Sequence, residues 1–161
     1  MSILVKSGRA AIAQAISEKP IHLAWGTGDV DWEDTPPDES MESTELLAEI
    51  GRRLLHRFEF VYPDDAGEIV VPTGRYAISE TPTEHLFMEF KFDFEDGAEA
   101  DAIREYSVHI GSKIIEGLPI GQRYFLPTEI ENSGIMLLLE HSEPIHRSAA
   151  SRQSFEFVIT F

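Results

Sequence analysis

With 13 Lys and Arg against 29 Asp and Glu, this chain of 161 residues carries a formal net charge of −16 at pH 7, a field that repels nucleic-acid phosphates and anionic lipid. Having no cysteine, it excludes a disulfide framework and a thiolate metal site. No apolar run nears the ~18 residues of a membrane-spanning helix, and Met1 to Lys6 lacks the basic start and long apolar stretch of a signal peptide. The length predicts a single domain, 1–161, made and folded in a cytosol.

In chain order, Ser7 is the expected N-cap of a helix through Arg9 to Ile16. Ala11, Ile12, Ala15 and Ile16 form the stripe that a helix packing on a sheet needs. Pro20 closes it, and Ile21-His22-Leu23-Ala24-Trp25 alternates as a strand with Trp25 in the core. Gly26-Thr27-Gly28 opens an acidic, proline-bearing loop at about 29–43. From Pro20 to Gly51 the chain has nine acidic residues and no Lys or Arg. Ser43 or Thr44 caps an expected second short helix, with Leu46, Leu47 and Ile50 inward and Gly51 at its end.

A strand around 53–62 follows, then a hairpin-type turn at Pro63-Asp64-Asp65-Ala66-Gly67. Glu68 to Val71 and Arg75 to Ile78 read as strands flanking Pro72-Thr73-Gly74. A strand at 84–95 leads to an Asp96-Gly97 turn, and Ile103 to Ile110 alternates strongly. Residues 116–134 are irregular, Gly134 to Glu140 reads as a fully buried strand, Glu143 to Gln153 as a polar loop, and Phe155 to Phe161 as a closing strand.

Nine of the ten phenylalanines lie in three of these alternating segments. Phe58, Phe60 and Tyr62 share one face, as do Met88, Phe90, Phe92 and Phe94, and again Phe155, Phe157, Ile159 and Phe161. Glu59, Glu89, Lys91, Asp93 and Glu156 point the other way. The expected fold is α+β: a mainly antiparallel β-sheet with an aromatic buried face and a charged exposed one, packed by the N-terminal helix and the second short helix. An apolar last residue, Phe161, places that end in a sheet or an interface.

The motifs give no active site. Gly26-x-Gly28 lacks the third glycine of a dinucleotide fingerprint, position 31 being Asp, and no helix follows directly. Asp29-x-Asp31-x-Glu33-Asp34 lacks the glycine and terminal glutamate of a calcium-binding EF-hand; the reading is a solvated loop, with a loose calcium site as the alternative. Pro144 prevents the helix that would align His141 with His146 around zinc. No Gly-x-Ser-x-Gly or His-Glu-x-x-His motif occurs. We therefore expect no catalytic residue, no metal and no cofactor. Trp32, an aromatic among Asp31, Glu33 and Asp34, is an expected interface anchor. Asp29, Asp31, Asp34 and Phe161 complete the candidate protein-interface set.

The order of segments resembles the N-terminal attachment domains of tailed-phage collar and tail-fibre proteins. The resemblance rests on the Gly8-Arg9-Ala10-Ala11-Ile12-Ala13 helix and Ile21-His22-Leu23-Ala24-Trp25-Gly26-Thr27-Gly28-Asp29. It extends to the strand Ile103-Arg104-Glu105-Tyr106-Ser107-Val108-His109-Ile110 and the closing strand Ser154 to Phe161. Departures are the absence of a fibre repeat and the unusually acidic 30–43 insert. The resemblance implies a structural virion protein, a tail-tip, baseplate or fibre-attachment adaptor, with no enzyme activity. Its implied partners are other phage tail proteins in a symmetric homo-oligomer within the tail, assembled in the host cytoplasm, without nucleic acid or membrane insertion. The alternative is a small acidic inhibitor or nucleic-acid mimic that occupies a basic site on a host protein.

Overall fold

The computed structural model describes residues 1–32 and 35–161. The elements run α1 (Lys6–Ser17), β1 (Ile21–Gly26), β2 (Glu49–Leu54), β3 (Arg57–Pro63), β4 (Ile69–Val71), β5 (Gly74–Ile78), β6 (His85–Phe92), β7 (Ala102–Ile110), β8 (Lys113–Ile114), β9 (Tyr124–Phe125), β10 (Ile130–Asn132), β11 (Ile135–His146) and β12 (Gln153–Thr160). The protein is mostly antiparallel β-sheet with one N-terminal helix. Two compact units form, Met1–Lys19 with Leu55–Phe90 and Ser154–Phe161, and Pro20–Leu54 with Lys91–Gln153.

The first unit holds the sheet β12-β6-β3-β5-β4. Phe58 lies opposite Met88 and Phe60 opposite Leu86, so Phe58 and Phe60 of β3 share a face with Met88 and Phe90 of β6, as their alternation predicts. That face is unevenly buried: Leu86, Met88 and Phe90 are fully enclosed, whereas Phe58 and Tyr62 are exposed. The other face corrects the expectation of a charged surface. There Val61, Ile69, Val71, Tyr76 and Phe87 form a buried cluster with Val158 packed against it, and Glu89 is buried too. The physical reason is that β6, unlike its neighbour β3, is covered on both faces, and a strand covered on both faces needs apolar residues on each. The consecutive Leu86-Phe87-Met88 is the trace of that requirement.

The turn after β3 is held by Asp64, whose carboxylate accepts the Ala66 N–H at 2.8 Å. It does not close a direct β3–β4 hairpin, because β5 pairs with both strands and lies between them. Helix α1 also differs from its predicted details. Its N-cap is Val5, with no side-chain capping bond, and its buried residues are Ala13 and Ile16. Ala11, Ile12 and Ala15 are exposed, so the inward stripe is one i,i+3 pair. Arg9 Nη1 donates to the Phe161 carbonyl at 2.7 Å, and Arg9 lies 3.8 Å from the Glu84 carboxylate.

The second unit holds the sheet β11-β7-β1-β2-β9 and the two-stranded β10-β8. Every residue of β1 and β7 is buried. Trp25, at the end of β1, stacks on Phe92 with centroids 3.6 Å apart and donates its indole N–H to the Tyr124 hydroxyl at 3.1 Å. Arg147 lies over the Trp25 ring at 5.2 Å and donates to the Asp93 and Asp96 carbonyls at 3.0 Å each. The strand predicted over 134–140 is longer, reaches His146 and is an edge strand, half-buried rather than enclosed.

The expected second helix near 43–50 is absent; beyond α1 the described helical pieces are three-residue 3-10 turns at Val30–Trp32 and Pro127–Glu129. The backbone there is claimed by other partners. Buried Glu105 accepts the Leu47 and Ala48 N–H groups at 3.0 and 2.7 Å, and the Ala48 carbonyl accepts the Thr27 N–H at 3.0 Å. From Glu49 the chain pairs with β1. Groups bonded in this way are unavailable for the i to i−4 ladder of a helix.

Candidate functional site

The acidic loop begins where β1 ends. Gly28 has φ +57°, and a Cβ there would sit 2.8 Å from the Trp32 ring, so both conformation and space call for glycine. The Asp29 carboxylate accepts the Asp31 N–H at 3.0 Å, and the Asp29 carbonyl accepts the Trp32 N–H at 3.1 Å. This is the local side-chain and turn bonding for which aspartate is suited. The turn presents the Trp32 ring to His141 on β11, with centroids 4.6 Å apart.

His141 also fastens the far side of the loop. Its backbone N–H donates to the Glu39 carboxylate at 2.9 Å, and its Nδ1 lies 2.7 Å from the Pro37 carbonyl. A carbonyl only accepts, so Nδ1 carries the proton. The His141 N–H bond is the main cause that holds the Glu39 carboxyl below the usual carboxylate range. Trp32, Leu46, Glu105, Leu139 and His141 line a recess of about 320 Å³.

Asp29, Asp31 and Trp32 thus come together in one turn. Asp29 is half-buried with its carboxylate occupied, Trp32 is half-buried against His141, and Asp31 is exposed. Asp34 lies outside the described residues. Phe161 belongs to the other unit, half-buried, its N–H donating to the Glu84 carbonyl at 3.0 Å. Sequence reasoning missed Glu39, Glu105 and His141. A usable signal existed for Glu105, a carboxylate in the middle of a strand otherwise fit for burial. Nothing local marked Glu39 among its acidic neighbours.

A second polar constellation lies inside the sheet. His22 and His109 stand directly opposite each other on β1 and β7. His109 Nδ1 lies 3.1 Å from the Ser133 carbonyl and its Nε2 is 2.9 Å from the Ser107 hydroxyl. The carbonyl fixes the proton on Nδ1, so Nε2 accepts from Ser107. Arg52 donates to both oxygens of Glu49 at 2.6 and 3.1 Å, to Ser112 Oγ at 3.0 Å and to the Ser133 carbonyl at 2.8 Å. Burial, reinforced by Arg52, lowers both His22 and His109 to about 4; both are neutral at pH 7.

The Ser107–His109 pair has the hydrogen-bond order of an activated nucleophile, yet both residues are buried, at 0% and 1% exposure. A reacting group needs an approach to the hydroxyl, and burial this complete gives none. The bonds tie His109 of β7 to the Ser133 backbone and to Ser107. Among the described residues, no three His, Asp or Glu side chains are grouped to hold a metal ion.

Over residues 1–161, the whole chain, the sequence matches the family model described as "Baseplate wedge 3 tail fiber network component". No curated protein matches it.

Proposed function

Because the chain belongs to the baseplate wedge 3 tail fiber network component family, and is therefore a structural protein of the phage tail, we propose that it serves there as a non-enzymatic adaptor joining neighbouring components. The observation that carries this reading is the outer edge of β11. That strand of 12 residues pairs with β7 on one side and is the last strand of its sheet on the other. Its first half, Ile-Met-Leu-Leu-Leu, is uncharged, with Ile135 exposed and Met136 to Leu139 half-buried.

An apolar edge with unpaired backbone groups is a template for an added strand, and free-standing proteins blunt such edges with charge, proline, bulges or cover. Here the guards sit toward the C-terminal half. Glu39 covers the His141 N–H, a register break falls between His141 and Ile145, and Pro144 lies within it. Among the described residues, the stretch from Ile135 to Leu139 has one guard, the register break between Met136 and Leu138. Strand addition there, bordered by Trp32 and the acidic turn of Asp29 and Asp31, fits a subunit whose neighbours complete its sheet. Phe161 and the exposed Ile3, Leu4 and Val5 supply a second contact region, and closed symmetric assembly of copies fits a tail.

The test is incorporation into particles, scored as the ratio of this chain to a major tail protein. Ile135→Lys places an edge lysine at an exposed position, so the isolated chain should melt as wild type while incorporation falls at least tenfold. Trp32→Ala should also reduce incorporation, by a hot-spot amount of about 2 kcal/mol. Normal incorporation of both variants would overturn the adaptor reading.

A further inference from the structure

Beyond β6 the chain makes consecutive turns from Asp93 to Ala100, with the Asp96 N–H on the Asp93 carbonyl and the Ala100 N–H on the Gly97 carbonyl. Gly97 has φ +59°, and a Cβ there would stand 2.9 Å from the Trp25 ring and 3.0 Å from Ile50. Glycine at this point lets the turns lie close over Trp25 and Ile50, and they enclose one side of a cavity of about 520 Å³. Ile50, Ala98, Tyr124 and Leu126 give it an apolar lining, and Glu95 and Glu99 add two carboxylates. The volume is within the roughly 300–1,000 Å³ of small-ligand pockets.

The acids of this segment divide into two kinds. Asp93 pairs with Arg152 at 2.9 Å and Asp96 with Arg53 at 2.9 Å, so both are matched within the unit. Glu95 and Glu99 are exposed, and their carboxylates make no hydrogen bond or ion pair among the described residues. The same segment also shows what an acid beside an aromatic ring accommodates here. Arg152 lies over the Phe94 ring at 4.5 Å while bonded to Asp93. The cavity repeats that combination, with the Tyr124 ring and two carboxylates, without an internal arginine.

We propose that this cavity receives an arginine side chain from a basic segment of a neighbouring protein in the tail. The alkyl stem lies on Ile50 and Leu126, the guanidinium plane faces Tyr124, and Glu95 and Glu99 take its N–H groups. Arginine fits better than lysine because its planar fork both stacks on a ring and bonds two carboxylates, and because its weaker hydration suits a half-enclosed site. A net charge of −16 draws a basic partner and disfavours a second copy of this acidic chain as the occupant. The inference deepens the adaptor reading, on which it rests, by giving the chemistry of one contact.

Nitrogen-15-labelled full-length chain titrated with N-acetyl-arginine methylamide tests it in solution. The expected result is saturable shifts centred on the Gly97, Ala98, Ala100 and Leu126 amides. The uncharged citrulline analogue should produce none of them, and Glu95→Gln with Glu99→Gln should weaken the arginine probe at least fivefold. These residues are exposed and unpaired, so the double variant keeps the fold. Shifts spread evenly over the acidic surface, equal binding of citrulline, or unchanged binding by the double variant would each overturn the proposal. The readout uses the free chain, so a failure here is separable from a failure of the adaptor reading, which is scored by particle incorporation of Ile135→Lys and Trp32→Ala.

Discussion

Interior strand β6 of one sheet buries Leu86, Phe87, Met88 and Phe90, while interior strands β1 and β7 of the other bury His22, Glu105, Ser107 and His109 beside Leu23, Trp25 and Val108. Apolar burial is additive and tolerant, since each side chain contributes through the area it removes from water. Buried polar groups behave differently, because each stabilises only while its partners are present. Arg52 is the clearest case: it satisfies Glu49, Ser112 and the Ser133 carbonyl at once, and removing it leaves the Glu49 carboxylate without its cation while Ser112 and His109 still bond the Ser133 carbonyl. The first sheet should therefore respond to mutation in proportion to burial, and the second in proportion to connectivity.

The largest expected effects come from one truncation in each sheet. Arg52→Ala leaves the Glu49 carboxylate, 18% exposed, without its cation, a change that costs about 3–5 kcal/mol when a buried pair is broken. Phe87→Ala removes a ring that is 3% exposed from its cluster and should cost a similar 3–5 kcal/mol. Phe58→Ala, on the 39% exposed side of β3, should cost about 1 kcal/mol. Urea unfolding measures all three. If Phe58→Ala proved as costly as Phe87→Ala, the first sheet would not respond in proportion to burial, and a harmless Arg52→Ala would remove the distinction between the sheets.

Acid separates the sheets by a different lever. In the unfolded chain a histidine takes its proton near 6.5, whereas burial and Arg52 hold His22 and His109 at about 4. Their folded pKa values are depressed, so the neutral forms' stabilisation is complete above about 6.5 and is lost as pH falls toward 4. Linkage gives a loss of about 1.4 kcal/mol per histidine by about pH 5.5, approaching roughly 3 kcal/mol each by pH 4. Among the described residues His22 Nδ1 has no hydrogen-bond partner, so His22→Gln should fold and roughly halve the decline between about pH 7 and pH 5.5. A wild-type unfolding free energy that stayed flat over that interval would show that neither histidine is held neutral.

The same contrast explains which parts of the molecule were legible in the sequence. Period-two alternation found the strands predicted at 21–25, around 53–62, and at 84–95, 103–110 and 155–161, because backbone pleat and burial act on the same residues there. It misjudged β6, where burial on both faces erases alternation, and β11, whose five apolar residues in a row look alike in an enclosed strand and an open edge. The missing helix near 43–50 had the right apolar spacing, but its backbone donors go to Glu105, about sixty positions away. The candidate site was half legible for that reason. Asp29, Asp31 and Trp32 are neighbours in sequence, whereas Glu39, Glu105 and His141 meet them only through the fold.

Within the acidic loop the comparison recurs on a small scale, and it yields the weakest but most discriminating prediction. Glu39 holds the His141 N–H, whereas Asp31 and Asp38 are exposed and make no ion pair among the described residues. Glu39→Ala should lower global stability by no more than about 1 kcal/mol, the usual worth of an exposed hydrogen bond. Its local effect should be larger, because the His141 amide then exchanges with solvent on an unguarded strand edge. Asp31→Asn with Asp38→Asn should change stability by about 0.5 kcal/mol or less, with any change favourable through reduced like-charge repulsion. Hydrogen exchange at His141 separates the two variants: faster in Glu39→Ala, unchanged in the double asparagine variant. Equal exchange in both would mean that Glu39 does not cover the edge, and the open stretch of β11 would then extend through His141.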